Sequence, residues 1–240
     1  MKVISLVPSI TEALLDLGLT EQQVIGRTKF CIHPQETVKK IEIVGGTKNL
    51  NIQKIKDLNP DIIIANKEEN TQEQIEELQK DFKVVVTNVS TIEDNYYLLK
   101  NLGIYFNLEQ KAQLFNLKIY DVFEKNKLNK PIKVAYLIWQ NPYMTVGKDT
   151  FVHHVLSELG FENIFKNQKR YPQIELDDLA EAEAILLSSE PYPFSEKHIV
   201  EIREKFPDKK ILLVDGEAFS WYGTRLAKCE NYFQELLSQF

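Results

Sequence analysis

Cysteine is scarce in this chain: Cys31 and Cys229 are the only two, and they lie far apart in the sequence. Such a pair implies no disulfide framework of the kind that staples small secreted domains, and both thiols are expected to be free and mostly buried. Long apolar runs are missing as well, and nothing approaches the roughly 18 consecutive apolar residues of a membrane-spanning helix. The opening MKVISLVPSITEALLDLGL has one lysine and then an apolar run broken by Ser5 and Pro8. That lacks the apolar core of about 7 to 15 residues found in a secretory signal. As written, the chain is expected to be cytoplasmic, or periplasmic or in the cell envelope if a leader was trimmed away. A positive balance is also absent: 29 Lys and Arg stand against 35 Asp and Glu, a formal net charge of −6. This argues against nucleic acid or an anionic membrane as the main partner. With no G-x-S-x-G, Walker loop or G-x-G-x-x-G, the common hydrolase, nucleotide and dinucleotide readings have no anchor.

What is present describes a globular protein. Its 240 residues are 43% hydrophobic and 27% charged, enough for one large domain or two lobes of about 100 to 130 residues. The stretch NLEQKAQLFNLKIYDVFEKNKLNK, residues 107–130, organises the chain. Leu108, Ala112, Phe115, Ile119 and Val122 recur at steps of four and three and draw one apolar stripe down a helix. Asn107 and Gln110 have capping-box spacing, and Pro131 stops the helix. About 20 helical residues span roughly 30 Å, long enough to join two bodies.

On either side of this helix, strands and helices alternate. Val3–Val7 reads as a buried strand leading into a helix capped by Ser9 or Thr11 and ended by Gly18. Strands follow at Val24, at Ile41–Val44, at the IIIA run after Pro60 and at Val84–Thr87, with helices near 51–58 and 72–80. Beyond the long helix, Val134–Trp139 and Ala184–Leu187 read as strands and Thr150–Leu159 as a helix. The turn-and-strand run from Asp177 to Pro191 echoes that from Ile52 to Asn70. The fold class is therefore α/β: two lobes, each a mostly parallel sheet flanked by helices, joined by one long backbone helix. The expected division is an N-terminal lobe over 1–88, a linking segment over 89–130 and a C-terminal lobe over 131–240.

Open parallel sheets bind ligands beyond the carboxyl ends of their strands. The segments falling there read FCIHP, GGTKN, NKEEN, WQNPYMTVGKD, SSEPYPF and DGEAFSWYG. They hold both tryptophans, Trp139 and Trp221, with Phe30, Tyr143, Met144, Tyr192, Phe194, Phe219 and Tyr222. Aromatic rings in polar loops are costly to leave wet, so these are expected to line a shared concavity or an interface. The carboxylates Glu68, Glu69, Glu190 and Glu217 occupy the same loops. They are read as ligand hydrogen-bond partners or helix caps ahead of acid–base catalysts, so no enzyme activity and no intrinsic cofactor are expected. Cys31 and His33 form a C-x-H pair that lacks a second pair to complete a zinc site.

SLVPSITE, VGGTKN, NPDIIIANKEEN, YLIWQNPYMTVGKDTF, LLSSEPYPF and VDGEAFSWYGTR, in this order around the linking helix, resemble the class III substrate-binding proteins with a helical backbone. The resemblance runs from Val3 to about Leu237 and is closest to the cobalamin-binding branch. It implies two α/β lobes holding a ligand in the cleft between them and handing it to an ATP-driven importer. The implied second-lobe aromatic falls at Phe219 to Trp221. In the first lobe, the implied tyrosine before a proline appears as His33, and two implied tryptophans fall near Thr47 and Asn66. The acids that the resemblance implies for importer docking fall at Gln53 and Lys54 and at Gly223, Thr224 and Arg225, none of which is acidic.

The expected function is therefore binding of a cobalamin-like corrinoid or another metal chelate as the solute-binding component of an importer, with a permease and ATPase as possible partners. Phe30, Trp139, Tyr143, Met144, Tyr192, Phe219, Trp221 and Tyr222 would supply apolar contact. Thr47, Lys48, Asn66, Lys67, Glu68, Glu190 and Glu217 would orient the ligand, and His33 could ligate its metal through imidazole. The alternatives are a cytoplasmic protein that handles a corrinoid, haem or siderophore without an importer, and, third, an enzyme using the loop carboxylates.

Overall fold

The computed structural model covers Met1–Phe240 and divides into two compact units. Unit 1 takes Met1–Val89, Glu93–Ile119 and Tyr222–Ala227; unit 2 takes Ser90–Ile92, Tyr120–Trp221 and Lys228–Phe240.

Unit 1 winds as β1 (Val3–Ser5), α1 (Pro8–Leu17), β2 (Val24–Arg27), α2 (Gln35–Val38), β3 (Glu42–Ile43), α3 (Ile52–Leu58), β4 (Ile62–Asn66), α4 (Gln72–Gln79) and β5 (Val84–Thr87). Its five strands lie in the order β3-β2-β1-β4-β5, and every pairing is parallel. Alternation along the strands sends Ile4, Leu6, Ile63 and Ala65 to one face, where Ile55 of α3 and Ile75 and Leu78 of α4 cover them. The opposite face is buried too, so all five residues of β4 are buried, as a parallel sheet covered on both sides requires. Val7, in an extended conformation, occupies the N-cap of α1, ahead of Pro8 in the first turn. Thr11, expected as a possible cap, donates its hydroxyl to the Val7 carbonyl at 2.9 Å from inside the helix. Gly18 ends α1 in the left-handed conformation at φ 112°.

The stretch 89–130, expected to carry a single long helix, holds two: α5 (Ile92–Phe106) and α6 (Glu109–Lys125). Asn107 does not cap α6. It sits at φ 56° and closes α5 as its left-handed C-terminal residue, with Leu108 N–H bonded back to the Gly103 carbonyl at 2.7 Å. The apolar stripe of α6 holds, with Ala112, Ile119 and Val122 buried. Its 17 residues make it about 25 Å long at 1.5 Å per residue. The division between the units falls within α6, between Ile119 and Tyr120.

Unit 2 continues with β6 (Ile132–Trp139), β7 (Tyr143–Thr145), α7 (Phe151–Glu158), β8 (Phe161–Asn163), β9 (Gln173–Ile174), β10 (Ala184–Ser188), α8 (Glu196–Lys205), β11 (Lys210–Val214), α9 (Gly216–Ser220) and α10 (Glu230–Leu237). The sheet runs β11-β10-β6-β7-β9, with β8 also on β6. The pairings of β10 with β11 and β6, and of β6 with β8, are parallel. Those of β7 with β6 and β9 are antiparallel, so this sheet is mixed. WQNPYMTVGKD, expected to be a loop, is in part a hairpin. Trp139 pairs with Met144, and Asn141 takes the turn at φ 61°. Ala135, Leu137, Ile185 and Leu187 line the core face with Phe194, Ile199 and Ile202.

Candidate functional site

In unit 1 the strand order reverses between β1 and β4, the place where an open parallel sheet leaves a crevice beyond its carboxyl ends. Here the chain fills it with its own groups. The Asn70 amide donates to the carbonyls of Leu6 at 3.2 Å and Thr47 at 3.1 Å, while its oxygen accepts from Asn66 N–H at 2.8 Å. Asn66 is buried; its oxygen accepts from Glu68 N–H at 2.8 Å and its amide donates to Thr87 at 3.1 Å. Tyr222, also of unit 1, is buried there with its hydroxyl end among Ser9, Thr87, Glu68 and Glu69, and burial pushes its phenol upward. Thr47 is buried as well.

Other expected residues of unit 1 stay at the surface. Phe30 is 49% exposed, lies beside Gly46 and carries the Lys29 ammonium 5.0 Å from its ring centroid. Lys67 is exposed, and Lys48 is exposed with its ammonium bonded to the Glu68 carbonyl. His33 and Glu68 are half-buried. Cys31 is fully buried between the hydroxyls of Thr11 at 3.1 Å and Thr28 at 3.2 Å. Burial raises its thiol, so the C-x-H pair presents one accessible side chain. No group of three or more His, Cys, Asp or Glu side chains comes together to hold a metal ion.

In unit 2 the expected residues separate into core and surface. Phe219 has no exposed surface and packs against Tyr136 at 5.3 Å and Phe233 at 5.6 Å between ring centroids. It is a core residue, and in this conformation it offers no face to a ligand. Trp221 is buried and donates its indole N–H to Glu190 Oε1 at 3.1 Å. Ser220 Oγ donates to the same oxygen at 2.6 Å. Glu190 has its carboxyl raised, by burial first and then by the charge of Glu217, against the pull of these two hydrogen bonds. Gly216 makes room for it, since a Cβ there would collide with the Glu190 side chain and Ser188. Glu217 is half-buried in the first turn of α9.

Trp139, Tyr143, Met144 and Tyr192 form the accessible group of unit 2. Trp139, the last residue of β6, is 40% exposed and meets the Tyr192 ring edge-on at 5.5 Å. Tyr143 and Met144 are half-buried in β7. Behind these rings lies a polar chain that the aromatic pattern did not reveal. Tyr192 OH donates to Gln140 Oε1 at 2.9 Å and lies 3.2 Å from His198 Nε2. The Gln140 amide donates to Tyr143 OH at 3.0 Å and to Glu201 at 2.9 Å. The available signal was the S-x-x-H spacing of Ser195 and His198, a capping box at the start of α8.

An α/β chain of two units, with aromatic side chains at the carboxyl ends of its strands, has the architecture of a solute-binding protein. The periplasmic binding protein family matches residues 3–192, and the chain belongs to that family, a family of transporter substrate-binding proteins. The vitamin B12-binding protein of Salmonella paratyphi A is 29% identical over 184 residues, covering 74% of this chain and 68% of that protein. That of Vibrio cholerae serotype O1 is 26% identical over 196 residues, covering 79% and 70%. Among solved structures, the periplasmic vitamin B12 binding protein BtuF of Vibrio cholerae superposes with a TM-score of 0.83 at 21% identity, covering 99% of this chain and 96% of that one. A periplasmic haem binding protein from Pseudomonas aeruginosa superposes with a TM-score of 0.82 at 20% identity, covering 98% and 92%. No helix is long and apolar enough to cross a membrane.

Proposed function

We propose that this chain binds a cobalamin-like corrinoid and delivers it, outside the cytoplasmic membrane, to an ATP-driven importer. The observation that carries the reading is Trp139. A 40% exposed indole at the carboxyl end of a strand, braced edge-on by Tyr192, is a platform for a flat, largely apolar macrocycle. Phe30 offers a second exposed ring at the strand ends of unit 1, and Lys48, Lys67 and Glu68 can orient the amide-bearing rim of a corrin. The vitamin B12-binding relatives favour a corrinoid among the flat macrocycles. Haem is the second reading, favoured by the haem-binding structural neighbours.

Isothermal titration with cyanocobalamin and, in parallel, haemin tests the choice. Micromolar or tighter binding of cyanocobalamin with weaker haemin binding is expected, and the reverse order replaces corrinoid by haem. A change in the corrin spectrum on binding that His33→Ala abolishes would assign His33 as an axial ligand. Cell fractionation, and co-purification with a permease and its ATPase, test the importer step. Docking acids are not available at Gln53, which bonds to Asp57 at 2.8 Å, nor at Lys54, which pairs with Glu42 at 2.7 Å, so other surface groups must serve.

A further inference from the structure

We infer that His198 is a positioning residue for the ligand face of unit 2, setting the orientation of Tyr192 and Trp139 through one directed chain of hydrogen bonds. This rests on the corrinoid reading above. His198 is buried in the first turn of α8. Its Nδ1 lies 2.8 Å from the backbone N–H of Ser195. A backbone N–H can only donate, so Nδ1 accepts and the neutral ring carries its proton on Nε2. That proton faces the Tyr192 hydroxyl at 3.2 Å. Accepting from His198, the hydroxyl donates its own proton to Gln140 Oε1 at 2.9 Å. The Gln140 oxygen is thereby fixed on one side, and its amide group turns to Tyr143 OH and Glu201. The Ser195 hydroxyl, 3.1 Å from His198 Nδ1, donates to that nitrogen as well, and the Glu201 carboxylate, which can only accept, sets the amide end of Gln140 in the same sense.

The apolar side of the group is held in the same way. The Tyr192 ring stands edge-on to Phe194 at 4.8 Å, to His198 at 5.4 Å and to Trp139 at 5.5 Å. Trp139 is the exposed outer member and Gln140 is its neighbour in the chain. Fixing Tyr192 therefore fixes the edge against which the indole rests. A platform held in place before binding loses less side-chain freedom when a macrocycle settles on it, and that difference appears as affinity.

The experiment measures cyanocobalamin binding by titration calorimetry for wild type, His198→Phe, Tyr192→Phe, the double variant and His198→Gln, with the melting temperature of each. His198→Phe and Tyr192→Phe are each expected to weaken binding by about tenfold, the scale of one well-placed hydrogen bond. The double variant should be no weaker than the weaker single, because both remove the same link. His198→Gln, whose amide can donate toward Tyr192, should recover most of the loss. Unchanged affinity in both single variants, or fully additive losses, overturns the inference, as does a lowered melting temperature with no change in affinity. If wild type itself binds no cyanocobalamin, the corrinoid reading falls, and two measurements without ligand decide the positioning role. Imidazole nitrogen chemical shifts should show one Nε2–H tautomer for His198, and acrylamide should quench tryptophan emission more strongly in His198→Phe than in wild type. An Nδ1–H ring or unchanged quenching overturns it.

Discussion

The indole N–H of Trp221 and the hydroxyl of Ser220 converge on one oxygen of Glu190, at 3.1 and 2.6 Å. Two donors aimed at a carboxylate favour its charge, yet burial outweighs them and the group titrates above its ordinary value of 4.5. A carboxyl raised in the folded state binds more protons there than in the unfolded chain between the two pKa values, so stability falls as pH rises through that window. Glu190→Gln keeps an acceptor for both donors and removes the titration. Its melting temperature relative to wild type should therefore rise as pH increases from the ordinary carboxylate range toward neutrality, and a difference independent of pH would refute the assignment.

Gly103 marks where α5 and α6 touch. A Cβ there would lie 2.8 Å from the Ala112 Cβ and 3.1 Å from the Glu109 Cα. Alanine normally gains about 1 kcal/mol over glycine inside a helix, but overpacking costs about 1 to 3 kcal/mol, and here backbone stands in the way. Gly103→Ala should lower the urea midpoint without altering the m-value.

Arg225 Nε donates to Glu12 Oε2 at 2.9 Å, with side-chain exposures of 16% and 3%. Removing one member of a buried pair strands the other's charge, at a cost of about 3 to 5 kcal/mol. Arg225→Met is expected to show most of that loss in chemical denaturation. Glu12→Gln combined with Arg225→Met should recover part of it, which two independent contacts would not do.

The aromatic residues divide into accessible and core, and alanine distinguishes them. Trp139→Ala should weaken cyanocobalamin binding by about 30-fold, corresponding to about 2 kcal/mol for a central aromatic contact, with little change in melting temperature. Phe219→Ala should instead lose about 3 to 5 kcal/mol of stability, read from unfolding curves.

The strand-helix alternation, the buried thiols and the stripe of α6 were legible because each depends on local periodicity or composition. The helix α5 was not: its end at Asn107 was read as the cap of the next helix, and Gly103 in its last turn owes its place to the long-range contact with α6. The antiparallel β7 and β9 escaped for a similar reason: strands of two or three residues carry too little alternation to announce themselves. Aromatic residues could be placed at strand ends, but which of them turn inward is decided by long-range packing. Phe219 meets Tyr136 and Phe233 in the interior, whereas Trp139 faces outward. The chain from Ser195 through His198 and Tyr192 to Gln140 joins residues up to 55 positions apart, beyond the reach of any local pattern.

Tyr222–Ala227 belongs to unit 1 although it follows nearly all of unit 2 in the chain. This segment brings the bonds of Gly223 to Asn95 at 2.5 Å, Thr224 to Asp16 at 2.5 Å and Arg225 to Glu12. During synthesis, therefore, unit 1 must wait until Ala227 has left the ribosome before it is complete. A premature stop anywhere before Tyr222 would also strip unit 1 of its bonds to Asn95, Asp16 and Glu12.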